Sequence, residues 1–429
     1  MRRNLQLALH AASLLLIASR AAWGVVVGGY AVSTDSRIAF VAGDGETTFP
    51  IVLDTVQNIT GLANGNVVAR IGTDLWRLYD AEGNELFTRQ LDNLGTFNDA
   101  VPTGNGGYAA LTDANIIFMA ANGDTVNRVI DDALSFATPL SNGKVVALKG
   151  ADLWRLYDAD GANVVTRALD NSGVFNSAAA LGGGGYAAVS DSRILFIGSD
   201  GLTVNNVVTD VVSSLTSLRT GNVVGRVGAD VWKLYSPTGS VLATRALDNL
   251  GVFQGAAALG NGGYLAYSDT NAIFVAADGL TISNIVPNAL EFVTALNNGN
   301  VVGRLAGSDL WRLFDPLGNI LATRQLDNIG AFVGAAPTGL SAPVNLPGDY
   351  NLNGSVDAAD YTIWRDNLGS TTNLAADGDN SGVIDAPDYD IWKLAFSPVA
   401  TVVAGASVPE PASVLLATIA AMLLVRRRN

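Results

Sequence analysis

Between residues 25 and 340, short apolar runs alternate with clusters of Gly, Asn, Asp and Pro. Residues 215–247 show the plan: the runs 215–218, 222–227, 230–235 and 241–247 are separated by turn-forming residues. Runs of this length bounded by breakers predict four antiparallel strands. In residues 75–79, Leu75 and Tyr79 fall on one face of the strand and Trp76 and Leu78 on the other. Both faces are apolar, so a sheet of such strands needs cover on both sides.

The pattern recurs. Asp-Leu-Trp-Arg-Leu-Tyr at 74–79 returns at 152–157, then as Asp-Val-Trp-Lys-Leu-Tyr at 230–235 and Asp-Leu-Trp-Arg-Leu-Phe at 309–314. Trp76, Trp154, Trp232 and Trp311 lie 78, 78 and 79 residues apart, and Gly-Gly-Tyr recurs at Tyr30, Tyr108, Tyr186 and Tyr264. Each long repeat is double. Turn glycines at Gly45, Gly83, Gly123, Gly161, Gly201, Gly239, Gly279 and Gly318 mark eight units of about 39 residues. Radially packed four-stranded blades cover each other's faces, and a period near 40 predicts an all-β, eight-bladed β-propeller over 25–340. An open β-solenoid is the alternative. The first unit lacks the opening strand that other Gly-Gly-Tyr units carry, as at 252–259, while a spare copy follows the last unit at 331–337. That spare strand is expected to complete the first blade and close the ring.

The recurring polar residues admit two readings. Asp92, Asp170, Asp248 and Asp327, with Arg89, Arg167, Arg245 and Arg324, could form a ring of ligand groups at one mouth. Alternatively the Asp-Asn pairs are turns between blades and the arginines pair one blade with the next. Equal placement in four repeats favours the second reading.

Composition narrows the chemistry. With 49% hydrophobic and 15% charged residues, the chain can build a core and is not a disordered one. The 47 glycines fit a turn-rich fold. There is no Cys, and the single His is His10. Thiolate nucleophiles, disulfides, His-ligated metals and Ser-His-Asp hydrolysis are therefore not expected of the mature chain.

The two ends predict export. Basic Met1-Arg2-Arg3-Asn4, an apolar stretch over 5–18 and small residues up to Gly24 predict a signal peptide at 1–24. At the other end Val408, Pro409, Glu410 and Pro411 precede an apolar run over 412–425, closed by Arg426, Arg427 and Arg428. These three parts, in this order, resemble the PEP-CTERM sorting signal, here 408–429 after a linker at 398–407. The resemblance implies export to the cell surface, outer membrane or extracellular matrix. It also implies transient anchoring by a hydrophobic helix and processing by an exosortase-type enzyme. Membrane contact is then expected only through this segment. Without the two ends the body keeps 19 basic against 38 acidic residues, a net −19. Such a surface argues against nucleic acid as a partner.

After a linker at 341–346, two near-copies appear within 347–397. The first places Asp349, Asn351, Asn353, Asp357 and Asp360 at loop positions 1, 3, 5, 9 and 12. The second places Asp377, Asp379, Ser381, Asp385 and Asp388 there, and both have Gly at position 6. Hard oxygens at this spacing around a Gly turn predict two EF-hand-like calcium loops, with Ser355 and Val383 lending backbone carbonyls at position 7. Each loop runs into an amphipathic segment, Tyr361-Thr362-Ile363-Trp364-Arg365 or Tyr389-Asp390-Ile391-Trp392-Lys393. Nine Asp against Arg365 and Lys393 leave the segment at −7, so two Ca²⁺ ions are expected to order it. Tandem loop-helix units with Asp at position 12 resemble a type I dockerin. That resemblance implies a cohesin-like partner, recognised by loop positions 10 and 11. Those positions hold Ala358-Ala359 and Ala386-Pro387, unlike the hydroxyl residues usual in the family, so only the calcium ligands carry over.

Together these features predict an exported, non-enzymatic surface or matrix protein that binds calcium and a protein or polysaccharide. The alternative is a glycan-active enzyme, which needs an unmatched carboxylate pair in one blade mouth.

Overall fold

The computed structural model describes residues 28–339, apart from 92–93, 133, 170–171 and 328. Beyond these it describes 348, 350, 356, 358–371, 376–378 and 383–396. The expected leader (1–24) and sorting segment (408–429) lie outside the described residues.

Eight antiparallel sheets follow one another around a ring. Blades 2 to 8 span residues 56–90, 97–130, 136–168, 175–208, 212–246, 253–286 and 290–325, each with four strands in chain order. Their innermost strands neighbour one another around the axis. The spare copy does close the ring. Strand Phe332–Pro337 pairs with Tyr30–Thr34, matching Ala31 to Ala336 and Val32 to Ala335. The ring is therefore a closed eight-bladed propeller and not an open solenoid.

One expectation needs correction. Blade 1 has three strands, Phe332–Pro337, Tyr30–Thr34 and Ile38–Val41, in place of four. Residues 48–52 run where a fourth would lie but make only isolated bridges, Val41 to Thr48 and Ile38 to Val52. Pro50 stands where the other blades of this type have Arg128, Asn206 and Asn284. Proline has no N–H to give the ladder, so the strand breaks at that point.

The repeated sequence markers turn out to meet between blades. Trp76 is 1% exposed, with Phe97 edge-on at 5.2 Å and Tyr108 at 5.6 Å, both from blade 3. Trp154 with Tyr186, Trp232 with Tyr264, and Trp311 with Tyr30 repeat the contact around the ring. The intervening interfaces use Phe40 with Tyr79, Phe118 with Tyr157, Phe196 with Tyr235, and Phe274 with Phe314. Two interface types thus alternate, which is why the chain repeats every 78 residues and not every 39. The second glycine of each Gly-Gly-Tyr has a steric cause. A Cβ on Gly107 would sit 2.0 Å from the Met119 carbonyl oxygen. The eight turn glycines all adopt the left-handed φ expected of them.

Past the ring, helix α1 (Ala358–Asp366) and helix α2 (Ala386–Ala395) pair through an aromatic cluster of their own.

Candidate functional site

In a four-stranded antiparallel blade, the first and third hairpins fall at the same end. In blades 2 to 8 this places both hairpins of each blade on one face of the ring, with the inner hairpins around its mouth. Neighbouring inner hairpins are tied by backbone bonds. Gly104 N–H donates to Gly143 O at 2.9 Å, and Gly182 to Gly221, Gly260 to Gly299 and Gly339 to Gly65 each do so at 2.8 Å. Side chains would not fit there, since a Cβ on Gly143 would come within 2.6 Å of the Gly104 Cα.

Over the hairpins of blades 3 and 4 this face opens into a pocket of about 730 Å³. Its polar lining includes Thr103, Asn105, Ser141, Asn142, Lys144 and Asp158, with Pro102 and Pro139 as apolar walls. The Thr103 hydroxyl donates to Asn105 Oδ1 at 2.7 Å, and Asn105 Nδ2 donates to Asp160 Oδ1 at 2.8 Å. Asp158 is the one acid among the described lining residues. Its carboxylate accepts from Asp160 N–H at 3.1 Å and Ala162 N–H at 2.7 Å, so it serves the turn of its own hairpin.

Three of the four Arg positions that recur in the repeats link blades, and Arg167 lies on the outer strand of blade 4 opposite Trp154. Arg89 Nη1 donates to Asp124 of blade 3 (O at 2.7 Å, Oδ1 at 3.0 Å), Arg245 to the Leu280 carbonyl at 2.8 Å, and Arg324 to Thr48 Oγ1 at 2.5 Å. Asp248 and Asp327 lie in turns, while Asp92 and Asp170 fall outside the described residues. The blade-pairing reading accounts for Arg89, Arg245 and Arg324.

A second repeated cluster is not picked out by the sequence reading. Asp54, 7% exposed, accepts from Arg77 Nη1 at 2.6 and 2.7 Å and from the Tyr79 hydroxyl. Asp132 takes Arg155, Lys149 and Tyr157 in the same way, and Asp210 takes Lys233 at 2.8 and 2.9 Å and Tyr235 at 2.7 Å. The signal was available. These acids recur every 78 residues, and in the fourth repeat Asn288 and Phe314 replace the acid and the tyrosine together. A buried carboxylate needs its donors, so the acid and its buried hydroxyl donor disappear together, while the half-exposed cation position is kept as Arg312.

Burial pushes the Asp210 carboxyl up, but the Lys233 ammonium and Tyr235 hydroxyl outweigh it and hold the group below the usual carboxylate value of 3.8. A depressed pKa contributes stability that is fully present above the unfolded value and is lost as pH falls through the folded one. Asp210→Asn is therefore expected to cost about 1 kcal/mol at neutral pH. Thermal unfolding followed between pH 2 and 6 should show this difference shrink once pH drops below about 4. A gap that is independent of pH would contradict the pairing.

In the helical segment, Asp360 and Asp388, the two position-12 ligand candidates, are both 0% exposed. Asp388 accepts from Gly378 N–H and from Asp385 N–H, each at 2.7 Å, which ties loop positions 2 and 9 to position 12. Asp385 in turn caps α2 in a reciprocal capping box with Asp388. Of the other candidates, Asp377 is half-buried and Val383 exposed. Asp349, Asn351, Asn353, Ser355, Asp357, Asp379 and Ser381 lie outside the described residues, as do Val408, Pro409, Glu410, Pro411, Arg426, Arg427 and Arg428. Among the described residues, no three acidic side chains are gathered around one point.

The two helices interlock by pseudo-twofold exchange. Tyr361 packs on Trp392 at 5.2 Å and Tyr389 on Trp364 at 5.0 Å, while Trp364 Nε1 donates to the Asp385 carbonyl at 2.8 Å. Ala358, Ala386 and Pro387 are exposed where the helices begin. No described helix is long and apolar enough to cross a membrane, and the 412–425 run lies outside the described residues.

No protein-family model matches the chain, and no curated protein matches its sequence. Solved structures do resemble it. Apo AztD from Citrobacter koseri aligns with a TM-score of 0.55 at 12% identity, over 73% of this chain and 99% of that one. Dihydro-heme d1 dehydrogenase NirN aligns with a TM-score of 0.55 at 10% identity, over 73% of this chain and 76% of that one. At such identities the likeness is one of fold, the β-propeller, which this chain builds with eight blades.

Proposed function

We propose that this chain is an exported, non-enzymatic surface or matrix protein. Its dockerin-like segment binds two Ca²⁺ ions and docks a partner, and its propeller presents a second binding face. What supports the calcium reading is the burial of Asp360 and Asp388 at the heads of α1 and α2. Asp388 in particular gathers the backbone of its own loop. A carboxylate is removed from water at this cost only where charge or hydrogen bonds compensate. Asp349, Asn351, Asn353, Asp357 and Asp360 would hold one ion, and Asp377, Asp379, Ser381, Asp385 and Asp388 the other, with the Ser355 and Val383 carbonyls completing each set. When bound, the ions supply the charge that offsets the acidic loops. The PEP-CTERM-like end would deliver the chain to an exosortase-type enzyme.

The propeller fold is shared by a dehydrogenase, NirN, so fold alone does not choose between binder and enzyme. The mouth pocket favours binding. Its single described acid is engaged in a turn, whereas glycoside hydrolysis needs a carboxylate pair.

The test is capture of secreted host proteins and polysaccharides by the chain in calcium, in chelator, and with Asp349→Ala plus Asp377→Ala. A partner held only by the wild type in calcium is the expected result. A partner held equally in all three conditions would overturn docking through the helical segment.

A further inference from the structure

The four long repeats differ where it matters most, at the mouth. In the inner hairpin of blades 2, 6 and 8 the residue after the glycine is Asn66, Asn222 or Asn300; in blade 4 it is Lys144. Lys144 lines the 730 Å³ pocket, is half-buried, and has no ion-pair partner among the described residues. An unpaired ammonium in a chain of net −14 stands out against its own repeats. We propose that this pocket binds a carboxylate-bearing carbohydrate, with Lys144 taking the carboxylate and with Ser141 and Asn142, which keep hydrogen-bonding capacity beyond their bonds to Leu181, Gly184 and the Lys144 N–H, meeting hydroxyl groups.

Three features point to a sugar acid and not an acidic peptide. Beside Lys144 the lining offers a hydroxyl and an amide, Ser141 and Asn142, which both donate and accept as sugar hydroxyls do, while the one acid of the lining, Asp158, is held by the N–H groups of its own turn. Pro102 and Pro139 close the inner strands of blades 3 and 4 with flat apolar walls and no N–H, so no strand edge is offered to a peptide backbone. The pocket also falls within the range of volumes typical of small-ligand sites. Lys144 supplies charge as a point donor and so accepts a carboxylate in several orientations, while the neutral groups set register.

The inference rests on reading the chain as a binding protein but not on its calcium segment, so it is tested in chelator. Calorimetric titration of the full chain uses an oligogalacturonate, its methyl ester and an oligoglutamate, each against wild type and Lys144→Asn. That substitution installs the residue of the sister blades and should leave folding intact, as thermal unfolding would report. The expected result is oligogalacturonate binding that weakens at least tenfold on esterification and at least tenfold in Lys144→Asn. No binding by wild type, equal binding by the variant, or equal binding of the oligoglutamate would overturn the site. Failure here with calcium-dependent capture intact would leave the proposed docking role standing.

Discussion

Ala336→Asp is expected to destabilise the propeller by on the order of 4 kcal/mol, lowering its thermal midpoint by roughly 8 °C or more. Ala336 is 2% exposed and pairs with Ala31 in the strand that closes the ring. An aspartate there must be ionised without a partner, or neutralised, and either costs several kcal/mol. The position also holds together distant parts of the chain. Ser33 Oγ bonds the Gly334 carbonyl at 3.3 Å across 301 residues, so weakening this strand exposes the inner edges of blades 2 and 8. Val333 lies on the same strand and is 40% exposed. Val333→Asp should change stability by no more than about 0.5 kcal/mol. Equal effects at both positions, measured by thermal unfolding, would contradict the closing register.

The second large effect is expected in the helical pair. Asp388→Ala removes the acceptor for Gly378 N–H and Asp385 N–H and breaks the capping box of α2. Loss of one such hydrogen bond to a charged carboxylate costs about 1.5–3 kcal/mol. A helix of 10 residues has little stability of its own, so α2 depends on these contacts and on Tyr361 and Trp364. On the calcium reading Asp388 is also a direct ligand. Its loss should then weaken calcium uptake at the second loop by more than the roughly 100-fold that removing a supporting group costs. Near-ultraviolet circular dichroism of the Trp364 and Trp392 cluster would follow the change. A variant whose aromatic signal still responds to calcium as the wild type does would exclude Asp388 from the ligand set.

Much of the ring is written in the chain because repetition makes it visible. Trp76 and its copies, the Gly-Gly-Tyr glycines and the spare strand at 331–337 recur at fixed spacing, and spacing survives without any structure. What the repeats cannot convey is which markers meet. Trp76 and Tyr108 are 32 positions apart and belong to different blades, so their stacking appears only once the blades are arranged around an axis. Pro50 is equally visible, yet its effect depends on knowing that it falls where Arg128, Asn206 and Asn284 pair with Phe118, Phe196 and Phe274 in the sister blades. The Asp54, Asp132 and Asp210 clusters lie 23 and 25 residues before their cation and tyrosine, a separation set by the blade connection and not by a motif. Lys144 is legible only as a difference, and a search for what repeats passes over it. In the helical segment the spacing of the acidic loop residues is read directly, whereas the burial of Asp360 and Asp388 follows from packing of the two helices.

Calorimetric titration of calcium into the full chain, first stripped with chelator, tests the functional reading most directly. Uptake of two ions per chain, accompanied by a gain of near-ultraviolet signal from Trp364 and Trp392, is the result expected. Absence of uptake, or uptake unchanged by Asp349→Ala plus Asp377→Ala, would contradict it.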